Sequence, residues 1–192
     1  TTLFTTSIKS LVFNSKVNIN LNKETPNVQA GDLMQINGMS SIFYLGSDGK
    51  RYVFPNNATF LSWYGDFSSV KTISQSQLES YALGSNITIR PGTKLIKITT
   101  NPTIYAIEPG GKLRSLGSES VASTLYGINW SQRVIDVPDV FFTNYLLVGT
   151  ATSTAYPAGS LVKFGSSTDI YYIDIDSKAR KFADEFAFEE AS

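Results

Sequence analysis

The chain has 192 residues, of which 42% are apolar and 12% aromatic, enough for a packed core and too many for a disordered chain. Sixteen cationic residues balance sixteen anionic ones, which removes the electrostatic argument for nucleic acid or an anionic membrane as partner. Cysteine and histidine are both absent, so a Cys nucleophile, a Ser-His-Asp triad and an ordinary structural zinc site are excluded.

Residues 1–30 read as an N-terminal β-strand arm. Val17, Ile19 and Leu21 alternate with Asn18, Asn20 and Asn22, the period of a strand with one apolar face, and Leu11 and Phe13 continue the parity backwards. The arm either pairs within its own chain or is donated to a neighbour. A connector with Pro26 follows.

From Gly31 the sequence is organised by a hairpin written three times. Ile42–Leu45 and Arg51–Phe54 flank Ser47-Asp48-Gly49, a strong hairpin signal because Gly tolerates the positive φ such turns need. Pro109-Gly110-Gly111 and Asp176-Ser177 play the same part in 103–116 and 168–182. Counting from Leu33, Leu95 and Leu161 aligns Ile42 with Ile104 and Ile170. It also aligns Leu45 with Ile107 and Ile173, Lys50 with Lys112 and Lys178, and Phe54 with Leu116 and Phe182. Such register marks an internal repeat.

Unit one spans 31–91. After its hairpin, Asn56 or Asn57 caps a helix over 58–64 with Phe60, Leu61 and Tyr64 on one face. A short strand at Val70–Ile73 and a helix from the Ser74 cap to Tyr81 follow, and Ile87 and Ile89 lead into the next unit. Unit two, 92–158, repeats the order. Ser118 caps Glu119–Tyr126, Val134–Val137 is a strand, and Pro138 is expected at the first position of a helix reaching Tyr145. Unit three, 159–192, has the opening strand Leu161–Phe164, the hairpin, and the start of a helix over 184–190. There Phe188 stands where unit one has Phe60, with Phe186 two residues before it. The expected fold is therefore α+β and strand-dominated: two full and one partial hairpin-plus-short-helix units behind a strand arm.

Four groups of residues invite a chemical reading, and each has a plainer one. Asp169, Asp174 and Asp176 suggest calcium, but also a strand end facing water. Asp136 and Asp139 suggest a glycosidase pair, although a carboxylate at a helix start is expected anyway. Lys50, Lys112 and Lys178 suggest a basic ring for a sugar acid or phosphate, against solubilising residues beside turns. Trp63, Tyr64, Tyr126 and Trp130 suggest a sugar-stacking platform, against core packing. The plainer readings are preferred, so no catalytic residue, metal or cofactor is expected and the protein reads as a non-enzyme. Asn57, Asn86 and Asn129 head formal glycosylation triplets.

The motifs GSDGKRYVFPN (46–56), SWYGDF (62–67) and IDVPDVFFTNY (135–145) resemble a repeat domain of large predicted surface proteins of candidate-phyla, Patescibacteria-like bacteria. The resemblance covers about residues 31–149. It implies an exported protein of the cell envelope or its appendages and carries no catalytic residues. Together these readings point to a structural subunit of an extracellular assembly, a pilus-like filament or surface layer, polymerising head to tail with itself. Leu11, Phe13, Val17, Ile19, Leu21, Phe186 and Phe188 are the expected interface. The rival is a monomeric adhesin module that binds surface or wall glycan. No run of apolar residues is long enough to cross a bilayer as a helix.

Overall fold

A computed structural model describes residues 26–92 and 94–182. The strand row Leu11–Leu21 and the segment holding Phe186 and Phe188 lie outside the described residues. Among the described residues thirteen strands in three sheets and four short α-helices make the architecture strand-dominated α+β.

The first sheet is built on β1 (Leu33–Ile36), β2 (Ile42–Leu45) and β3 (Arg51–Val53), each antiparallel to the next. The Asp48 carboxylate accepts the Lys50 backbone N–H, and Gly49 closes the turn at φ 75°. Helix α1 (Asn57–Leu61) then carries the chain across to β4 (Val70–Ile73), which lies parallel to β1. Helix α2 (Gln75–Glu79) carries it back to β5 (Leu83–Asn86), parallel to β3. Parallel neighbours need such crossovers because a hairpin cannot join them. The resulting order is β4-β1-β2-β3-β5.

The second sheet has the same order, β9-β6-β7-β8-β10. Its strands are β6 (Leu95–Ile98), β7 (Asn101–Glu108), β8 (Lys112–Ser115), β9 (Val134–Val137) and β10 (Leu146–Thr150). Helix α3 (Glu119–Tyr126), a 3-10 turn at Trp130–Arg133 and α4 (Asp139–Phe142) make the crossovers. Leu33 pairs with Val70 and Ile36 with Ile73; Leu95 pairs with Val134 and Ile98 with Val137.

Both five-stranded sheets are covered on both faces. Leu33 and Met34 are adjacent on β1 and so point opposite ways. Leu33 joins Ile42, Phe54 and Phe60 of α1, while Met34 joins Leu45, Ile73 and Leu78 of α2. In the second sheet Leu95 packs with Leu116, Ala122 and Leu125 of α3, and Ile96 with Ile89, Val137 and, at the rim, Phe141, Phe142 and Tyr145. The helices start where capping predicts: Asn56, Ser74 and Ser118 each accept a backbone N–H three residues on.

Several local expectations are corrected. Helix α1 ends at Leu61, so Phe60 takes the buried face with Tyr64 partly buried beside it, and Leu61 points out. The first sheet is closed by a strand at 83–86, ahead of the Ile87–Ile89 lead-in and unforeseen in the sequence. Gly84 belongs to it because the Tyr52 ring lies where a Cβ would stand. Ile89 instead enters the second sheet's core. Pro138 is the residue before α4, with extended ψ 138°, rather than its first helical residue, and α4 stops at Phe142.

Candidate functional site: the third sheet and the cavity beside it

The third sheet consists of β11 (Leu161–Val162), β12 (Tyr171–Ile173) and β13 (Ala179–Lys181), all antiparallel. The opening strand is shorter than expected and ends before Phe164. The three strands correspond by order and register to β1-β2-β3 and β6-β7-β8. Among the described residues nothing pairs with the outer edge of β11, where β4 and β9 lie in the other sheets. Nothing pairs with the outer edge of β13 either, where β5 and β10 lie. The core thins accordingly: Leu33 and Leu95 are buried, but Leu161 is only half-buried. Phe164 and Ile175 are exposed, Ile175 to 77%. The sheet is set tightly against the second one. At Gly92, with φ 89°, a Cβ would fall 1.7 Å from the Gly159 carbonyl oxygen.

Beside this sheet lies a cavity of about 410 Å³ walled by the segment after α1, the lead-in at 88–91, the β7–β8 turn and the third sheet, with Trp63, Thr88, Arg90, Pro109, Leu161 and Tyr172 among its lining residues. Its key groups are placed by the turn that ends α1. The Ser62 hydroxyl donates to the Thr59 carbonyl at 2.7 Å and accepts the Arg90 backbone N–H at 2.9 Å. The next residue, Trp63, donates its indole N–H to the Thr88 carbonyl at 2.8 Å. This ladder lays the Arg90 guanidinium over the Trp63 ring, 5.8 Å from its centroid. Trp63 nevertheless stays 38% exposed. Burial holds Arg90 below its ordinary pKa and pushes the neighbouring Tyr64 phenol above its own. Trp63 is shared with a second recess of about 370 Å³, walled by Tyr44, Tyr52, Phe54, Tyr64 and Ile87.

A larger cleft of about 520 Å³ sits where α3 meets the second sheet. The matching cleft on the first sheet is about 340 Å³. Ala122 stands where the first sheet has Phe60, which stacks on Phe67 at 4.5 Å and fills the space. The larger opening is thus explained by one smaller side chain.

The structure disperses most of the other sequence candidates. Asp174 accepts the backbone N–H groups of Asp176 and Lys178 and the Arg180 Nε–H. The Lys178 bond, ahead of Arg180, holds its carboxyl below the usual range. Asp169 pairs with Lys181, and among the described residues no acidic cluster is grouped as for a metal ion. Asp136 pairs with Lys97, and Asp139 accepts the Thr100 hydroxyl. Lys50, Lys112 and Lys178 are exposed beside their own turns, Lys50 paired with Asp48. Tyr64, Tyr126 and Trp130 pack partly into the cores, and burial pushes the Tyr126 hydroxyl up to about 12. Trp63 is the exception to the preferred core reading. Asn57 and Asn129 are exposed, whereas the half-buried Asn86 spends its side-chain N–H on the Asn144 carbonyl oxygen at 3.3 Å.

Two features escaped the sequence reading. Arg90 carried no motif, because its partners Trp63 and Ser62 lie more than twenty residues away. The second is an acid–arginine pair across the hairpin, Glu108 with Arg114 and Asp174 with Arg180. Both pairs sit at the same distances from Leu95 and Leu161, so the repeat register would have revealed them. In the first sheet those positions are Gly46 and Tyr52, and the tyrosine ring lies over the glycine.

Among the described residues no helix is long and apolar enough to cross a membrane. Comparison of the chain with protein-family models, curated proteins and solved structures finds no match.

Proposed function

We propose that the protein is a non-enzymatic structural subunit of an extracellular assembly, a pilus-like filament or surface layer. Its chain is read as an N-terminal strand arm, two full repeat units and a partial third. Subunits join head to tail when the arm of one, with its apolar row Leu11, Phe13, Val17, Ile19 and Leu21, completes the third sheet of the next. Phe186 and Phe188 belong to the receiving side. One observation carries this reading: the third sheet has the three-stranded centre of the other two but, among the described residues, neither flanking strand. Strand addition to such an edge uses main-chain hydrogen bonds for affinity and alternate side chains for register. A two-sided, non-identical contact of this kind generates open chains rather than closed dimers. The identical order of the first two sheets supports the repeat reading, and the resemblance to bacterial surface repeats supports the extracellular setting.

Light scattering and negative-stain microscopy on the full chain and on a version lacking residues 1–22 test it. Polymers from the full chain and monomers from the shortened one are expected. A compact full-length monomer that the truncation merely destabilises would mean that the arm closes its own chain, and would sink the assembly reading.

A further inference from the structure

We infer that the cavity between Trp63 and the third sheet binds a carboxylated sugar residue of an acidic polysaccharide, with Trp63 against the ring's apolar face and Arg90 on the carboxylate. The argument starts from charge. Arg51, Arg114 and Arg180 each donate to an acceptor: the Leu78 carbonyl, Glu108 and Asp174. Arg90 is half-buried, yet among the described residues its guanidinium has no carboxylate and no hydrogen-bond acceptor, only the face of the Trp63 ring. A partly desolvated cation without a counter-charge is costly, and a ligand carboxylate would relieve that cost through two parallel charge-assisted bonds.

The rest of the wall narrows the ligand. Among the described residues Arg90 is the only charged one lining the cavity; the others are aromatic, aliphatic, proline, glycine and one threonine. Trp63 has its single polar atom committed to Thr88, so what it offers the cavity is an immobile apolar ring. A flat ligand with an apolar face and one carboxylate matches that pairing, and a uronic acid in its chair form has both. The volume, about 410 Å³, lies in the range of small-ligand sites. The second aromatic recess, which shares Trp63, gives a neighbouring neutral sugar a place to stack, so the polymer runs past Trp63 from one recess to the other. This site is distinct from strand addition, which concerns the main-chain groups at the edges of β11 and β13, although Leu161 of β11 and Phe182, next to β13, also line the cavity.

The test is a titration of the full chain, in its native assembly state, with a short oligogalacturonate, read by calorimetry and by tryptophan fluorescence. A neutral oligosaccharide of equal length is the control. Trp130 supplies a constant background, since it packs against the second sheet's core. Saturable binding is expected, weakened at least about tenfold, or ~1.4 kcal/mol, by Arg90→Gln, and as much by removing the ligand's carboxylates. Arg90→Lys should recover part of the loss. High salt should weaken binding to the native chain but not the residue of binding in Arg90→Gln. Urea midpoints of the variants guard against misfolding, and Arg90→Gln keeps the proposal testable if Trp63→Ala does not fold. Absence of saturable binding at millimolar uronate overturns the inference. So does equal affinity for the neutral oligosaccharide, or unchanged affinity in folded Arg90→Gln.

Discussion

The second and third sheets carry an acid–arginine pair at corresponding positions of the hairpin, and the pair in the second sheet is the more enclosed. Glu108 on β7 meets Arg114 on β8 through both Nε and an Nη, and the glutamate is only 6% exposed. Asp174, just past β12, meets Arg180 on β13; the Arg180 side chain is 61% exposed against 33% for Arg114, and the Asp174 side chain 18% against 8% for Glu108. Both pairs join a carboxylate to an arginine across a hairpin, and what differs most between them lies outside the hairpin. Beside β8, β10 pairs in parallel and leads to Ala151 and Tyr156, which close over the second sheet's core. Beside β13, no strand is paired among the described residues. Leu95 and Leu161 repeat the lesson on the opposite edge, one under β9 and α3 and the other half-buried. A hairpin is a local product of its turn; whether it becomes the middle of a sheet depends on elements that arrive from elsewhere.

The largest effect expected from this contrast is on core truncation. Leu95→Ala and Leu33→Ala should each cost about 2–5 kcal/mol, as for fully buried leucines. Leu161→Ala should cost less, about 1–2 kcal/mol, because its side chain is only partly buried. Urea midpoints on the version lacking residues 1–22 measure all three. If the full chain polymerises by strand addition, the Leu161→Ala cost in the polymer should rise toward that of Leu95→Ala. Equal costs in the monomer would break the comparison, since the third sheet would then be as well covered as the second.

The ion pairs sharpen it at smaller scale. Arg114→Met keeps the side chain's apolar stem but leaves Glu108 without its partner in a nearly closed site, a loss of about 1–3 kcal/mol. Arg180→Met removes a largely exposed partner from a carboxylate that still accepts two backbone N–H groups. No resolvable shift of the urea midpoint is expected there. A clear loss from Arg180→Met would show that the third hairpin is covered in solution.

The same division between local and distant causes explains what could be read from the sequence. The hairpins were legible because Asp48-Gly49 and Pro109-Gly110-Gly111 specify their turns within four residues. The helix starts were legible because Asn56, Ser74 and Ser118 act on an N–H only three residues away. Strand β5 was not: Leu-Gly-Ser-Asn has no apolar alternation and becomes a strand by lying parallel to β3, thirty-odd residues earlier. Leu61 was assigned to the core by helical spacing, which fails when a helix lasts little more than one turn. The cavity was the least legible of all. Trp63 was visible as an aromatic, but its exposure and its pairing with Arg90 follow from the lead-in segment docking on the end of α1 through Ser62 and Thr88. No periodicity records that docking.

The smallest expected effect concerns how the covering strands are fastened. In the first sheet Asp32, just before β1, accepts Lys71 Nζ of β4 at 2.7 Å and the Gln29 backbone N–H at 2.8 Å. The corresponding second-sheet residues, Lys94 and Ile135, cannot form such a clasp. The Lys71 bond, then the Gln29 N–H, hold the Asp32 carboxyl below its usual pKa. A carboxylate depressed in the folded state contributes stability that is complete above its unfolded value, about 3.9, and is lost as pH falls through the folded value. The contribution of Asp32 should therefore be flat from neutral pH down to about 5 and shrink below about 4. Asp32→Asn should be less stable than the native chain at neutral pH, with the gap closing on acidification. Hydrogen exchange should place the loss at β4 rather than β9, because only β4 is held by the clasp. A gap that persists at low pH would mean that Asp32 acts through packing or through the Gln29 turn rather than through its charge.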